Sequence, residues 1–187
     1  MCYSFAATKG GSAIPLTKQQ KGHPVRPRIL ELRSPRSSAD WARYHEIRKR
    51  CIFEKYNAKG SDYYFEYDPD YPDERNPANH PLVFLADGMV IGTIRIDIKS
   101  DGRAVFRLVA IDTPWQCQGL GSIMLEEAED FARARGAQRI CLNAVPDAYR
   151  FYLRHGFNPT QWEGCTGNTT EIPVVKELAS ESLQLAA

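Results

Sequence analysis

Apolar and polar residues alternate from Arg28 to Arg33, the two-residue period of a strand with one face buried. Ser37, Ser38 and Asp40 then offer capping side chains, and Trp41, Tyr44, His45, Arg48 and Ile52 follow at helical spacing. A helix is therefore predicted from about Trp41 through Phe53. Leu82–Ala86 is a short apolar run and Asp87-Gly88 a hairpin signal. Met89–Ile98 is the next strand, with Ile94, Ile96 and Ile98 on one face and Arg95 and Asp97 on the other. Asp101-Gly102 turns the chain into Arg103–Asp112, whose β-branched and apolar residues predict a buried strand. A helix follows over Ile123–Ala132. Leu120, Met124, Ala128 and Phe131 form its apolar stripe, Glu126, Glu127, Glu129 and Asp130 are expected to face water, and Gly136 ends it. Arg139–Ala144 is expected to run parallel to Val105–Ile111. Pro146 suits the first turn of a short helix reaching His155, and Trp162 and Ile172–Val175 are left for closing strands. An antiparallel meander followed by strand–helix–strand defines an α/β (α+β) chain.

One long stretch fits neither period. Residues 54–81 hold Glu54, Asp62, Glu66, Asp68, Asp70, Asp73 and Glu74, interleaved with tyrosines. A connection of that length in a compact domain is usually functional or disordered, and the aromatic residues argue against disorder. Residues 1–27 carry Gly10-Gly11, three prolines and a basic excess, which reads as a flexible extension. It could instead pack on a neighbouring subunit, which allows a homodimer. Residues 28–179 are expected to form a single domain, and 180–187 a frayed tail.

Composition narrows the partners. The formal net charge of +1, with no basic stripe, argues against nucleic acid. No apolar run approaches a membrane span, and no apolar signal core stands at the N-terminus. Five cysteines at irregular spacing read as reduced thiols in a cytoplasmic protein, and four scattered histidines suggest no metal.

The candidate chemistry lies at Gln116-Cys117-Gln118-Gly119-Leu120-Gly121-Ser122, between a strand and a helix. Glycines allow a ligand to approach the main chain, and the helix start offers unpaired N–H groups and a positive dipole end, a setting for phosphate oxygens. The stretch lacks the Gly-Lys-Ser/Thr of a kinase-type loop, and Met124 stands where a dinucleotide fingerprint needs a third glycine. It does match Q/R-x-x-G-x-G/A through Gln116, Gly119 and Gly121. Downstream, Leu142-Asn143-Ala144, Ala148, Phe151-Tyr152 and Gly156-Phe157 supply a second motif in the right order. Together these resemble the Gcn5-related N-acetyltransferase (GNAT) superfamily from about Val83 to Phe157, with local departures at Pro114, Val145 and Pro146.

The resemblance implies a mixed central sheet of about six to seven strands flanked by helices, acetyl-CoA as co-substrate, and direct acetyl transfer to an amine. It implies that residues 116–122 hold the pyrophosphate, that backbone groups of Val109 and Ile111 bind the pantetheine arm, and that Tyr152 protonates the leaving thiolate. Asn143 would either bond the arm or simply close a strand. A phenol near pKa ~10 can protonate a thiolate whose conjugate acid is near ~8.5 if it is within reach. The general base stays open among Asp97, Glu66, Asp68, Glu163 and water. Arg107 would orient an acceptor carboxylate or pair with an acid of the 62–74 loop. Glu66 and Asp68, among tyrosines, suit a small cationic primary amine. Two alternatives remain. Arg48, Phe53, Glu66, Asp68, Asp73 and Gly92-Thr93-Ile94-Arg95 also resemble the acyl-homoserine-lactone synthases, and a non-catalytic acyl-CoA sensor would share the fold.

Overall fold

Alternation along the second strand decides how the sheet is clothed. Leu82, Phe84 and Ala86 point to one side, and Val83 and Leu85 to the other. A strand buried on both faces needs cover on both, and the computed structural model, which describes residues 29–58, 66–165 and 170–178, supplies it. Seven strands run in the order β1-β2-β3-β4-β5-β7-β6. They are β1 (Leu30–Arg33), β2 (Asn79–Ala86), β3 (Met89–Ile98), β4 (Arg103–Ile111), β5 (Arg139–Ala144), β6 (Asn158–Pro159) and β7 (Ile172–Glu177). Every neighbouring pair is antiparallel except β4 and β5, which run parallel as the sequence predicts. The expected extension 1–27, the tail 180–187 and the stretch Asp62–Phe65 lie outside the described residues.

The helices are α1 (Ser38–Arg48), the short α2 (Lys55–Asn57), α3 (Leu120–Arg133) and α4 (Pro146–Arg154). Ser37 caps α1 by accepting from the Asp40 N–H. The Asp40 carboxylate in turn accepts from Arg33 and from the Arg36 N–H, which pull its pKa down to about 2. The predicted helix to Phe53 is correct in extent but not in kind: Lys49–Glu54 is π-helical. α1 lays Tyr44 and Ile47 on Val83, Leu85 and Val90. On the other face, Leu125, Ala128 and Ala132 of α3 and Tyr152 of α4 pack with Leu82, Ile94, Ile96, Phe106 and Phe157. Asp87 (φ 48°) and Gly88 (φ 83°) form the tight hairpin turn that the Asp-Gly pair predicts. Glu129 departs from expectation. It is buried, because Lys176 of β7 reaches across to both its oxygens at 2.6 and 2.7 Å.

β4 is irregular in two ways. Thr93 faces Ala110 and Arg95 faces Arg107, so two steps along β3 match three along β4. The extra residue is a bulge, with Leu108 at φ 52°, where a side chain costs about 1–2 kcal/mol. Pairing between β4 and β5 also stops at Val105 and Cys141. Beyond that point the two parallel strands separate, and the β5-facing backbone groups of Phe106–Ile111 have no strand on that side to bond.

The α1 face carries a buried charge cluster beside this hydrocarbon. Arg95 and Arg107 are directly opposite each other, an arrangement that repels unless it is neutralised. Asp97 neutralises both: Oδ1 accepts from Arg95 Nε at 2.8 Å and Oδ2 from Arg107 Nε at 3.1 Å. Glu74 accepts from Arg48 at 2.8 Å and Arg95 at 3.0 Å, and from the Tyr44 hydroxyl at 2.9 Å, while Asp73 reaches Arg95 at 3.2 Å. Removing one member leaves charges buried without a partner. Asp97→Ala should lower the unfolding free energy by about 3–5 kcal/mol, read as a lower urea midpoint in a melt followed by tryptophan fluorescence.

Candidate active site

The glycine stretch joins β4 to α3, with Gly119 as the residue before the helix at φ 80°. A side chain is disfavoured there by backbone geometry rather than by crowding, since an added Cβ would meet nothing within 4 Å. At Gly121 the constraint is different. A Cβ would stand 3.7 Å from the Phe151 ring, an ordinary contact that the protein can accommodate. The side chains of the stretch mostly shape it. Gln116 donates to the Ile111 carbonyl at 2.7 Å and Gln118 to the Pro114 carbonyl at 2.9 Å, while Cys117 is exposed at φ 61°. Leu120 is buried in the core. What faces outward is therefore main chain: the first N–H groups of a 14-residue helix, which have no acceptor inside it. Such a terminus can take phosphate oxygens.

Two further links hold this terminus in place. Asp112, at the end of β4, is buried and ion-paired with Arg43 at 2.7 Å and with Arg50, which ties α1 and its π-helical extension to the start of the stretch. On the other side, His155 faces the Phe151 carbonyl through Nδ1 at 2.8 Å and the Ser122 hydroxyl through Nε2 at 2.9 Å. A carbonyl oxygen only accepts, so Nδ1 carries the proton and, in the neutral ring, Nε2 accepts from Ser122. α3 and α4 are thereby pinned together. Val109 packs into both core clusters on the α3 face, and the Ile111 carbonyl is engaged by Gln116.

Tyr152 lies on α4, 6 % exposed, with its ring edge-on to Phe151 and Phe157. Burial pushes its phenol pKa up, which widens the mismatch with a thiol.

Next to the point where β4 and β5 part lies a cavity of about 500 Å³. Phe106, Arg107 and Leu108 of β4 and Asn143 of β5 form its inner wall, and Arg48, Phe53, Tyr67 and Tyr71 its outer one. Glu66 and Asp68 stand on the exposed rim of the same cavity, so the structure brings both together with Arg107. The acidic segment is fastened to α1 through side chains. The His45 Nδ1 lies 2.6 Å from the Tyr67 hydroxyl, and Phe53 meets the Tyr67 ring edge-on. Burial, with Arg48 nearby, pushes the His45 pKa down and favours the neutral, accepting ring.

Some expectations change. Among the described residues, Arg107 pairs with Asp97 on β3 and with no acid of the 62–74 loop. Asp97 has both oxygens taken by guanidinium groups. Glu163 stands apart, 89 % exposed and bonded to Arg103 beside a separate hollow at Arg139, Cys141 and Trp162. Asn143 shares the cavity lining with Glu171, a residue that no motif in the sequence singles out. Burial pushes the Glu171 pKa up, against smaller downward pulls from Arg107 and the Asn143 amide. The single available signal for Glu171 was its position just ahead of a closing strand, and nothing in a linear reading sets that strand beside Asn143.

The sequence pattern of the Acetyltransferase (GNAT) family matches residues 41–157, more than half of the chain, and the chain belongs to that family. It is an N-acyltransferase, and acetyl-CoA is its co-substrate. Among solved structures, the chain is similar to an acetyltransferase of the GNAT family from Staphylococcus aureus (12 % identity, 81 % of this chain and 100 % of that one, TM-score 0.64). It is similar to the PaiA N-acetyltransferase from Thermoplasma acidophilum, solved in complex with coenzyme A (19 %, 80 % and 99 %, TM-score 0.62). It is also similar to the ribosomal-protein-S18-alanine N-acetyltransferase from Escherichia coli (19 %, 83 % and 99 %, TM-score 0.60). At these identities the likeness is one of fold. Among the described residues, no helix is long and apolar enough to cross a membrane.

Proposed function

We propose that this protein moves the acetyl group of acetyl-CoA directly to the primary amine of a small cationic acceptor. The observation that carries the reading is the charge of the cavity beside the β4–β5 gap. Its lining holds five carboxylates against three guanidinium groups. Asp73 and Glu74 are already matched to Arg48 and Arg95, and Arg107 to Asp97 beneath. Glu66, Asp68 and Glu171 are the surplus, beside the faces of Tyr67, Tyr71 and Phe53. A cation is favoured there by charge and by ring face.

In this reading the main-chain N–H groups of residues 119–121 hold the pyrophosphate, Gln116 and Gln118 shape the turn, and the pantetheine arm bonds the freed edge of Val109–Ile111. The amine nitrogen attacks the acetyl carbon, and the carbon–sulfur bond breaks. The leaving thiolate takes a proton from Tyr152, which regains one from the nitrogen of the new amide. A buried phenol is a weak acid, so Tyr152 serves first as a hydrogen-bond donor and gives up its proton only as charge develops on sulfur.

Three outcomes are expected. Gly121→Asp adds a negative charge at the helix start where the fold has room for the side chain. It should weaken coenzyme A binding tenfold or more, about 1.4 kcal/mol, in a calorimetric titration of a protein that still melts normally. Tyr152→Phe keeps the ring and removes the proton, so kcat should fall about 100-fold in a thiol-release assay while coenzyme A affinity stays put. The pair Glu66→Lys with Asp68→Lys should raise the acceptor KM, leave the KM for acetyl-CoA unmoved, and lose much of its effect in high salt. An acceptor KM indifferent to both the charges and the salt would remove the case for a cationic acceptor.

A further inference from the structure

An alkyl amine near pKa ~10 arrives protonated at neutral pH and must lose that proton before it can attack. The carboxylates around the site differ sharply in their freedom to receive it. Asp97 is clamped between two guanidinium groups, Asp73 and Glu74 are bonded to arginines, and Glu163 faces another hollow. Glu66 and Asp68 sit on the solvent-exposed rim. Glu171 is placed differently. It immediately precedes β7, whose register sets Pro173 opposite Asn143 and Ile172 opposite Ala144, so it is held at the end of β5. The Asn143 amide, on the neighbouring strand, favours the charged form of its carboxylate. It lines the cavity together with Phe106, Arg107 and Leu108, the stretch of β4 that has left β5. Its carboxylate thus stands where the acceptor cavity meets the gap that would hold the thioester.

We propose that Glu171 is the general base of the transfer, accepting the proton of the acceptor ammonium directly or through one water, with Asn143 as the residue that orients it. The proposal rests on the cationic-acceptor reading of this cavity. The ammonium N–H bond breaks, its electron pair stays on nitrogen, and the proton forms a new O–H bond on Glu171. The neutral amine then forms the carbon–nitrogen bond as the carbon–sulfur bond breaks. The amide nitrogen's surplus proton returns through Tyr152 to sulfur. The proton on Glu171 leaves to solvent, which accounts for the one proton released when an ammonium ion and a thioester become an amide and a thiol.

The surroundings suit the task. Burial raises the Glu171 pKa above the ordinary glutamate range near ~4.3, making it a stronger base than a surface acid. Arg107 from β4 and the Asn143 amide from β5 pull the other way and keep the charged form accessible. From the acidic segment, Glu66, Asp68 and the phenols of Tyr67 and Tyr71 face the same cavity. Arg48 of α1 and Arg95 of β3 are occupied by Glu74 and Asp73.

Glu171→Gln tests this, because glutamine keeps the shape and still offers Asn143 an acceptor. The full-length protein and the variant are compared from about pH 5.5 to 9.5 with acetyl-CoA and a panel of primary amines, cationic (spermidine, tyramine), uncharged and anionic. For the best amine, the variant should lose about 100-fold in kcat/KM at pH 7, with the acetyl-CoA KM within twofold. The wild-type profile should fall off on the acid side with the ionisation of Glu171. The variant should lose the plateau above that limb, its rate climbing tenfold per pH unit throughout as the free amine itself becomes available. A folded variant that keeps kcat/KM within threefold and the same acid limb overturns the proposal. If Glu171→Gln does not fold, Glu171→Asp, which withdraws the carboxylate by one methylene, must lower kcat while retaining the acid limb; an unaltered kcat overturns the proposal. If the best amine is uncharged or anionic, the acceptor reading fails, and the same comparison on that amine still decides the role of Glu171.

Discussion

β4 is asked to be two things at once. It must complete the antiparallel sheet against β3 along its whole length, yet it can pair with β5 over only Arg103–Val105. The bulge at Leu108 is where these demands are reconciled. One extra residue turns the strand away from β5 without breaking the ladder to β3, at the cost of a left-handed leucine. Everything chemical gathers along the part that has turned away. The cavity wall is Phe106–Leu108, the Gln116 side chain fixes the end of the strand, and Asp112 fastens it to α1. A strand paired on both sides to its end would leave no exposed backbone for a substrate arm.

The charged face of the sheet follows from the same geometry. A cavity needs a floor that does not collapse into it, and hydrocarbon side chains would fill the space. Three arginines and three acids form a stiff, bonded layer, in which Asp97 serves two strands and Glu74 joins β3, α1 and the acidic segment. The net effect is a neutral floor, so the field felt by an acceptor comes from the rim and from Glu171.

Much of this was legible in the residues. β3, β4, β5 and the hairpin between β2 and β3 were plain because alternation, β-branching and Asp-Gly turn chemistry all agreed. The start of β2 was not, since Asn79, His80 and Pro81 are poor strand formers. Pro81 is tolerated because β1 pairs with β2 only from Val83 onward, leaving that end an edge. The π-helical turn at Lys49–Glu54 was invisible because apolar spacing cannot tell one extra residue in a turn from an ordinary helix. Glu129 was misread because its partner Lys176 is 47 residues away. Glu171 was missed for a related reason: its neighbours are set by strand order, and β7 inserts next to β5 ahead of β6.

The ion pair between Glu129 and Lys176 has a mechanical consequence. Glu129 sits on α3, which the glycine turn opens, and Lys176 sits on β7, which Glu171 immediately precedes. The pair therefore ties the helix that follows the glycine turn to the strand that follows Glu171 through a buried contact. In the proposed reading, this braced frame sets the span between the two substrates. Chains of this architecture could exchange their outer acidic segment for another, and so change acceptor, without disturbing the distance over which the acetyl group travels.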